Sequence, residues 1–314
     1  MIVDLKTLVD ARKFIPFFVA RSAIDREKLA PVAIELHWTS DCNYDCVHCS
    51  YGSRRQNKGR LSPEVIDQLV NHLIALQVKA VYLSGGGEPT LVKGWTEYAR
   101  RMLDGGIELA LITNGATLKN DYADLYSRMN YIAVSIYSTS VEEYAAITNN
   151  RFYDRQWDAP NIIKFVGNSC IVGARCVINK INYKNIVNIY EKSKESGYDY
   201  VIFIPAIDYE GRGVSLGLAE QADVGRIIES HLDGIDDSFT NLVTVLSRGV
   251  HHYQTKNYLE KMSAPVHECA AVGLKTNAFV NYCGGVWLCQ PDIGNPEFKI
   301  GNLYEGNFST LWGS

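Results

Sequence analysis

The chain has 314 residues, 46% of them hydrophobic and 21% charged, with a formal net charge of −4; this is ordinary for a globular protein and gives no bulk electrostatic reason to expect nucleic acid or an anionic membrane as partner. No apolar run approaches the roughly 18 residues of a membrane span, and Phe14–Ala20 is too short, and broken by Pro16, to serve as a signal peptide. The expected location is therefore the cytoplasm, where eight cysteines point to metal work rather than to disulfides.

Residues 1–30 read as a helical lead-in, with apolar and basic residues mixed over Leu5–Ala20. Val32–Trp38 alternates and is expected to form the first strand, opening directly into the loop Asp41–Ser50. Arg54–Arg60 is a polar, basic loop, solvated or near a substrate mouth. Ser62 and Pro63 then start a helix as N-cap and first helical residue. Strands are expected at Ala80–Ser84, Glu108–Thr113 and Tyr131–Tyr137, with helices at Trp95–Asp104, Asp121–Arg128 and from about Ser140. A polar passage over residues 149–161 leads to a helical reading for Ile162–Asn168. Ile171–Asn179 is then a strand, Tyr183–Glu195 a helix and Tyr200–Pro205 a strand. Six β-α repeats rich in Val, Ile and Tyr predict a parallel sheet wound right-handedly into an open barrel, with catalytic groups on the loops after the C-terminal strand ends. Residues 31–215 form this barrel, 216–265 a helical connector, and 266–314 a smaller module of short strands, glycine pairs and cysteine. His251 and His252 fall in the connector; adjacent histidines on a helix cannot face one site, so they are read as surface or core residues.

The loop after the first strand carries Cys42, Cys46 and Cys49 at C-x3-C-x2-C spacing. Three thiolates can hold three corners of a cubane [4Fe–4S] cluster and leave one iron open to a small molecule. Zinc is the alternative, with His48 as a fourth ligand by type, but zinc motifs usually fill four positions with a second Cys or His pair, and His48 is poorly placed beside Cys49. After the second strand, Ser84-Gly85-Gly86-Gly87-Glu88-Pro89 brings side-chain-free backbone to where it can approach a bound group. Together these stretches resemble the radical S-adenosylmethionine (radical SAM) superfamily, whose signature is a C-x3-C-x-Φ-C loop, here with His48 at Φ, and whose GGEP element follows one β-α unit later. The resemblance runs from Val32 to about Pro205.

It implies an α/β fold, a partial (β/α)6 TIM-like barrel with a small C-terminal iron–sulfur module, and an enzyme. SAM would chelate the open iron, be cleaved by one electron to a 5′-deoxyadenosyl radical, and so abstract hydrogen from an unactivated C–H bond. The resemblance assigns the cluster to Cys42, Cys46 and Cys49. It assigns SAM contacts to Gly85, Gly86, Gly87 and Glu88, to His48 against the adenine, to Asn114 in a TNG turn, and to Ser135. Arg175 shares a strand face with Val177 and Asn179; it meets the SAM carboxylate if that face is the barrel interior, and otherwise sits on the rim. A reducing donor such as flavodoxin or ferredoxin is implied, with no nucleic acid or membrane partner.

Farther on, Cys269, then Cys283 at an expected hairpin turn, then Cys289 closing Gly284–Cys289, resemble a Twitch (SPASM-like) extension with an auxiliary [4Fe–4S] cluster. A fourth ligand is not evident; Cys170 and Cys176 are candidates but read better as small buried hydrophobes. Cys283 has a second reading, as a free thiol that returns hydrogen to substrate in a radical epimerase. Enzymes of this layout mature ribosomal peptides by epimerisation, crosslinking or oxidation, or oxidise and epimerise sugars and aminoglycosides. A radical SAM oxidoreductase or isomerase acting on a peptide is the expectation, although residues 1–30 are too few for the peptide-recognition module that peptide-modifying members often carry. A non-catalytic iron–sulfur carrier or sensor is the reading from another class, and it requires every iron to be capped by protein.

Overall fold

The computed structural model describes residues 29–52, 58–208, 210–248, 270–290, 293 and 295–313. The lead-in before Leu29, most of the basic loop, the His251-His252 pair and Cys269 lie outside the described residues. Six parallel strands, β1 (Ala33–Leu36), β2 (Ala80–Leu83), β3 (Glu108–Thr113), β4 (Tyr131–Ile136), β5 (Ile171–Ile178) and β6 (Tyr200–Pro205), pair in sequence order. Between them run α1 (Pro63–Ala75), α2 (Trp95–Asp104), α3 (Ala123–Arg128), α4 (Val141–Thr148), α5 (Arg155–Ile163) and α6 (Ile186–Glu195). β7 (Asn277–Val280) pairs in parallel with the other side of β1, followed by the antiparallel β8 (Gly285–Trp287) and β9 (Lys299–Asn302). The order is β6-β5-β4-β3-β2-β1-β7-β8-β9. The sheet keeps two edges, so the barrel is open, and the C-terminal hairpin is continuous with it through β7.

Local chemistry explains the elements. In α1 the Ser62 hydroxyl accepts from the Val65 amide at 3.3 Å and Pro63 takes the first helical position, where its missing N–H costs nothing. Val65, Ile66, Leu69, Val70 and Leu73 form the apolar stripe that buries α1 against the sheet. Alternation along the strands sends Ile34, Leu36, Val81, Leu83, Leu109 and Leu111 outward into the core beneath the helices. The intervening residues face the barrel interior, where Ala33, Ala80, Ala110 and Ala133 make a small-residue layer around Tyr131. Cys170 and Cys176 belong to the outer core, fully buried, and burial pushes the Cys170 thiol up to about 12. Such thiols behave as hydrophobes and not as ligands.

One expected element is displaced. The helix read at Ile162–Asn168 instead spans Arg155–Ile163, inside the polar passage. Trp157, Ala159 and Ile163 are its buried face, whereas Phe165 and Val166, which supplied the apolar signal, are 65% and 57% exposed. Pro160 stands within the helix and offers no N–H to the Gln156 carbonyl. The buried Tyr198 hydroxyl donates to that carbonyl instead. Tyr198→Phe should therefore cost about 1–2 kcal/mol in a urea melt by orphaning a buried acceptor.

Candidate active site

The cysteine loop leaves the C-terminal end of β1 and is strapped to neighbouring elements by backbone bonds. Asp45 and Val47 amides donate to the Thr148 and Ile147 carbonyls at the end of α4, at 3.0 and 2.9 Å, and Asn150 Nδ2 donates to the Asn43 carbonyl at 2.7 Å. Within the loop the Cys49 amide donates to the Cys46 carbonyl at 3.1 Å. Cys42, Cys46 and Cys49 are all half-buried and line one cavity of about 740 Å³, within the ordinary range of roughly 300–1,000 Å³ for ligand sites. Hydrogen-bond donors already face the sulfurs. The Tyr44 amide reaches Cys42 Sγ at 3.4 Å and Asn114 Nδ2 reaches it at 3.9 Å. The Cys46 thiol donates to the Tyr137 hydroxyl at 3.8 Å, a contact that reverses once the sulfur is a metal-bound thiolate.

His48 lines the same cavity, its Nδ1 3.3 Å from Asn179 Nδ2 and its ring tilted at 33° to Tyr137. Burial takes the imidazole down to about 4, so it is neutral at neutral pH, and with Nδ1 accepting from Asn179 its Nε2 carries the proton. A zinc site with His48 as fourth ligand is not formed: among the described residues no three His, Cys, Asp or Glu side chains converge on a single ion. A cubane distributes its thiolates over separate irons, so non-convergent thiols on one short loop, met by N–H and O–H donors, fit the cluster better.

The glycine loop after β2 faces the cysteines, and its glycines serve different purposes. A Cβ on Gly85 would meet nothing within 4 Å, so this residue offers open backbone to the cavity. A Cβ on Gly86 would come 2.9 Å from the Thr39 carbonyl, and one on Gly87 2.0 Å from the Asp41 carbonyl. Gly87 is thus required by the neighbouring loop, whose Asp41 carbonyl accepts from the Glu88 amide at 2.8 Å. Glu88 also has a structural task. Its carboxylate is buried and accepts from the Thr113 hydroxyl at 2.7 Å, the Thr90 hydroxyl at 2.6 Å, the Thr90 amide at 3.2 Å and the Asn114 amide at 2.8 Å. Burial raises its pKa and these four donors draw it back only in part. Glu88 therefore holds the loops through Oε1, while Oε2 accepts from Asn114 alone and Glu88 remains among the residues that line the cavity. Asn114, fixed by Glu88, places its side-chain amide on Asn43 Oδ1 at 2.7 Å and toward Cys42.

Ser135 and Arg175 are directly opposed in the β4–β5 register and both line the cavity, so the face carrying Arg175, Val177 and Asn179 is the interior. The Arg175 guanidinium makes no hydrogen bond or ion pair among the described residues, although its charge reaches Glu35, Tyr131 and Tyr200. Among the described residues, the C-terminal cysteines Cys283 and Cys289 do not line the cavity. Cys283 is exposed at the β7–β8 turn, with Tyr282 beside it packing over Gly59 and Gly86, and Cys289 is half-buried next to the lining residue Gln290. Sequence reasoning passed over Glu35, His37, Tyr51, Tyr82, Tyr131 and Tyr200, which line the cavity below the cysteines. Their signal was present in β1, where Glu35 and His37 alternate with Ile34, Leu36 and Trp38.

These features define a radical SAM site, and comparison agrees: residues 36–212 match the model of the Radical SAM superfamily. The chain belongs to the radical SAM superfamily, whose members bind SAM and a [4Fe–4S] cluster. It is 34% identical over 117 residues to a probable GTP 3′,8-cyclase of Thermococcus kodakarensis, an overlap of 37% of this chain and 38% of that protein. The match thus spans well under half of that relative. Mycofactocin maturase MftC of Mycobacterium tuberculosis is 23% identical over 287 residues, 90% of this chain and 70% of that one. In architecture the chain is similar to Streptococcus suis SuiB bound to its precursor peptide SuiA, with a TM-score of 0.67 at 15% identity, covering 97% of this chain and 69% of that one. Among the described residues no helix is long and apolar enough to cross a membrane.

Proposed function

We propose that this radical SAM enzyme is an oxidoreductase or isomerase that modifies a peptide. The observation that carries the reading is one continuous cavity that joins three thiols, the open backbone of Gly85 and an interior wall with room below. When bound, the cluster and SAM supply reductive cleavage and, through it, hydrogen abstraction from a C–H bond. The chain's own residues do the rest. Cys42, Cys46 and Cys49 hold the cluster, His48 packs against the adenine, Gly85 presents backbone to the methionyl amino group, and Arg175 with Ser135 receives the carboxylate through a bidentate fork. Asn114 and Glu88 keep the cysteine loop in register. The relatives include a peptide maturase and a neighbour crystallised with its precursor peptide, which supports the peptide reading.

The segment 266–314 is assigned as a Twitch-type module in which Cys269, Cys283 and Cys289 hold an auxiliary [4Fe–4S] cluster, with electrons delivered by a flavodoxin or ferredoxin. If Cys283 is not a ligand, its role is that of the thiol that returns hydrogen to a substrate radical. The decisive experiment is iron and sulfide analysis after anaerobic reconstitution, with EPR of the reduced protein with and without SAM. About eight irons and a SAM-perturbed signal are expected, falling to about four irons with the SAM response kept in Cys269→Ala/Cys289→Ala. Four irons in the wild type would remove the auxiliary cluster. A SAM-insensitive signal would remove the assignment of the open iron.

A further inference from the structure

Below the thiols, the β1 wall carries a hydrogen-bonded chain that none of the roles above uses. His37 is buried, with Nδ1 2.6 Å from the Tyr51 hydroxyl and Nε2 2.7 Å from Glu35 Oε1. An ionised carboxylate only accepts, so His37 donates to it from Nε2 and meets the Tyr51 hydroxyl with Nδ1. The Glu35 carboxylate is thereby held in one orientation. Burial opposes charge on Glu35 most strongly, but His37, Ser84 and Arg175 together outweigh it, and the carboxyl is held below the ordinary glutamate value. Its side chain retains 28% exposure, and Glu35 is one of the residues that line the cavity.

Aromatic rings surround this carboxylate. Tyr82 is its register partner on β2, Tyr131 packs edge-on to Tyr82 with ring centroids 6.4 Å apart, and Tyr200 and Phe279 line the same cavity from β6 and β7. A fixed anion among aromatic faces is the pairing that holds an ammonium group, by charge on one side and ring quadrupoles on the others. We propose that the lower half of the cavity binds a primary amine of the peptide substrate, a lysine side chain or an amino terminus, with Glu35 as its counter-ion. This rests on the reading that the SAM carboxylate takes up Arg175. With SAM bound those two charges cancel, and Glu35 is left as the carboxylate among the aromatic residues of the cavity.

The test uses the full chain, reconstituted and loaded with SAM, titrated with Nα-acetyl-lysine amide, its Nε-acetylated form, Nα-acetyl-norleucine amide, glucosamine and glucose. The lysine amide should bind at least tenfold tighter than its two uncharged counterparts, and Glu35→Gln should erase that preference. Tyr82→Leu leaves the charged chain intact and should weaken the lysine amide about threefold, which keeps the proposal testable if Glu35→Gln folds poorly. Equal binding of the three amino acid probes together with equal binding of the two sugars overturns the proposal, as does a preference that survives Glu35→Gln. Preference for glucosamine over glucose without a lysine preference overturns the peptide origin of the amine. Iron content and the SAM-perturbed EPR signal of the same samples separate these outcomes from failure of the SAM site itself.

Discussion

Replacing Glu88 by glutamine is expected to lower the unfolding free energy by about 1–2 kcal/mol and to weaken SAM binding at least tenfold, with alanine costing about 3 kcal/mol or more. The carboxylate divides its work unevenly. Oε1 accepts from the Thr90 amide and from the Thr90 and Thr113 hydroxyls, whereas Oε2 accepts from the Asn114 amide alone. A glutamine that keeps its oxygen where three donors meet must turn its NH2 toward the Asn114 N–H, donor against donor. Asn114 is the residue whose side chain holds Asn43 and faces Cys42. Loss at Glu88 is therefore transmitted one residue onward to the cysteine loop. Alanine leaves the Thr90 and Asn114 amides and the Thr113 hydroxyl without their acceptor in a buried pocket, while the Thr90 hydroxyl can still turn to Thr117. Urea melts followed by circular dichroism read the first effect, and SAM titration of the reconstituted protein reads the second. A glutamine variant with unchanged SAM affinity would show that Asn114 is held well enough by its other contacts.

Much of the barrel was legible because its signals are local. α2, β3 and β6 have the boundaries that alternation and turn residues indicate, at Trp95–Asp104, Glu108–Thr113 and Tyr200–Pro205. The three cysteines and the glycine triplet were legible because spacing alone places them on loops after consecutive strands. What escaped depends on contacts between distant positions. α5 was misplaced because its Pro160 is tolerated only where Tyr198, from the loop before β6, satisfies the carbonyl that proline abandons. The pairing of β7 with β1 joins Asn277 to Ala33, across most of the chain. The role of Glu88 required knowing that four donors converge on it, and no spacing rule announces that. Glu35 and His37 were the avoidable omissions: two polar residues alternating through an apolar strand mark an interior that is not meant to be dry.

Gly87→Ala is expected to be more damaging than any other single methyl added to the glycine loop. Its new Cβ would lie 2.0 Å from the Asp41 carbonyl oxygen and 2.6 Å from the carbonyl carbons of Asp41 and Ser40. All three are backbone atoms, so no side-chain rotation relieves the contact. Either the glycine loop retreats, breaking the 2.8 Å bond from the Glu88 amide to the Asp41 carbonyl, or the segment leading into Cys42 moves. Both displace a thiolate from the Asn114 and Tyr44 donors that face it. The stability loss should be about 3 kcal/mol, and iron bound after reconstitution should fall at the SAM cluster by more than half. Gly85→Ala is the matched control, since its Cβ meets no atom within 4 Å. It should fold and load iron as the wild type does, while the methyl group, placed where open backbone faces the cavity, weakens SAM binding about tenfold. The two variants differ by two positions and by one methyl each, yet one should fail in assembly and the other only in ligand binding. Equal iron loading in both would mean that the loop containing Asp41 yields to Gly87 without cost, and that the glycine triplet is needed for the cofactor alone.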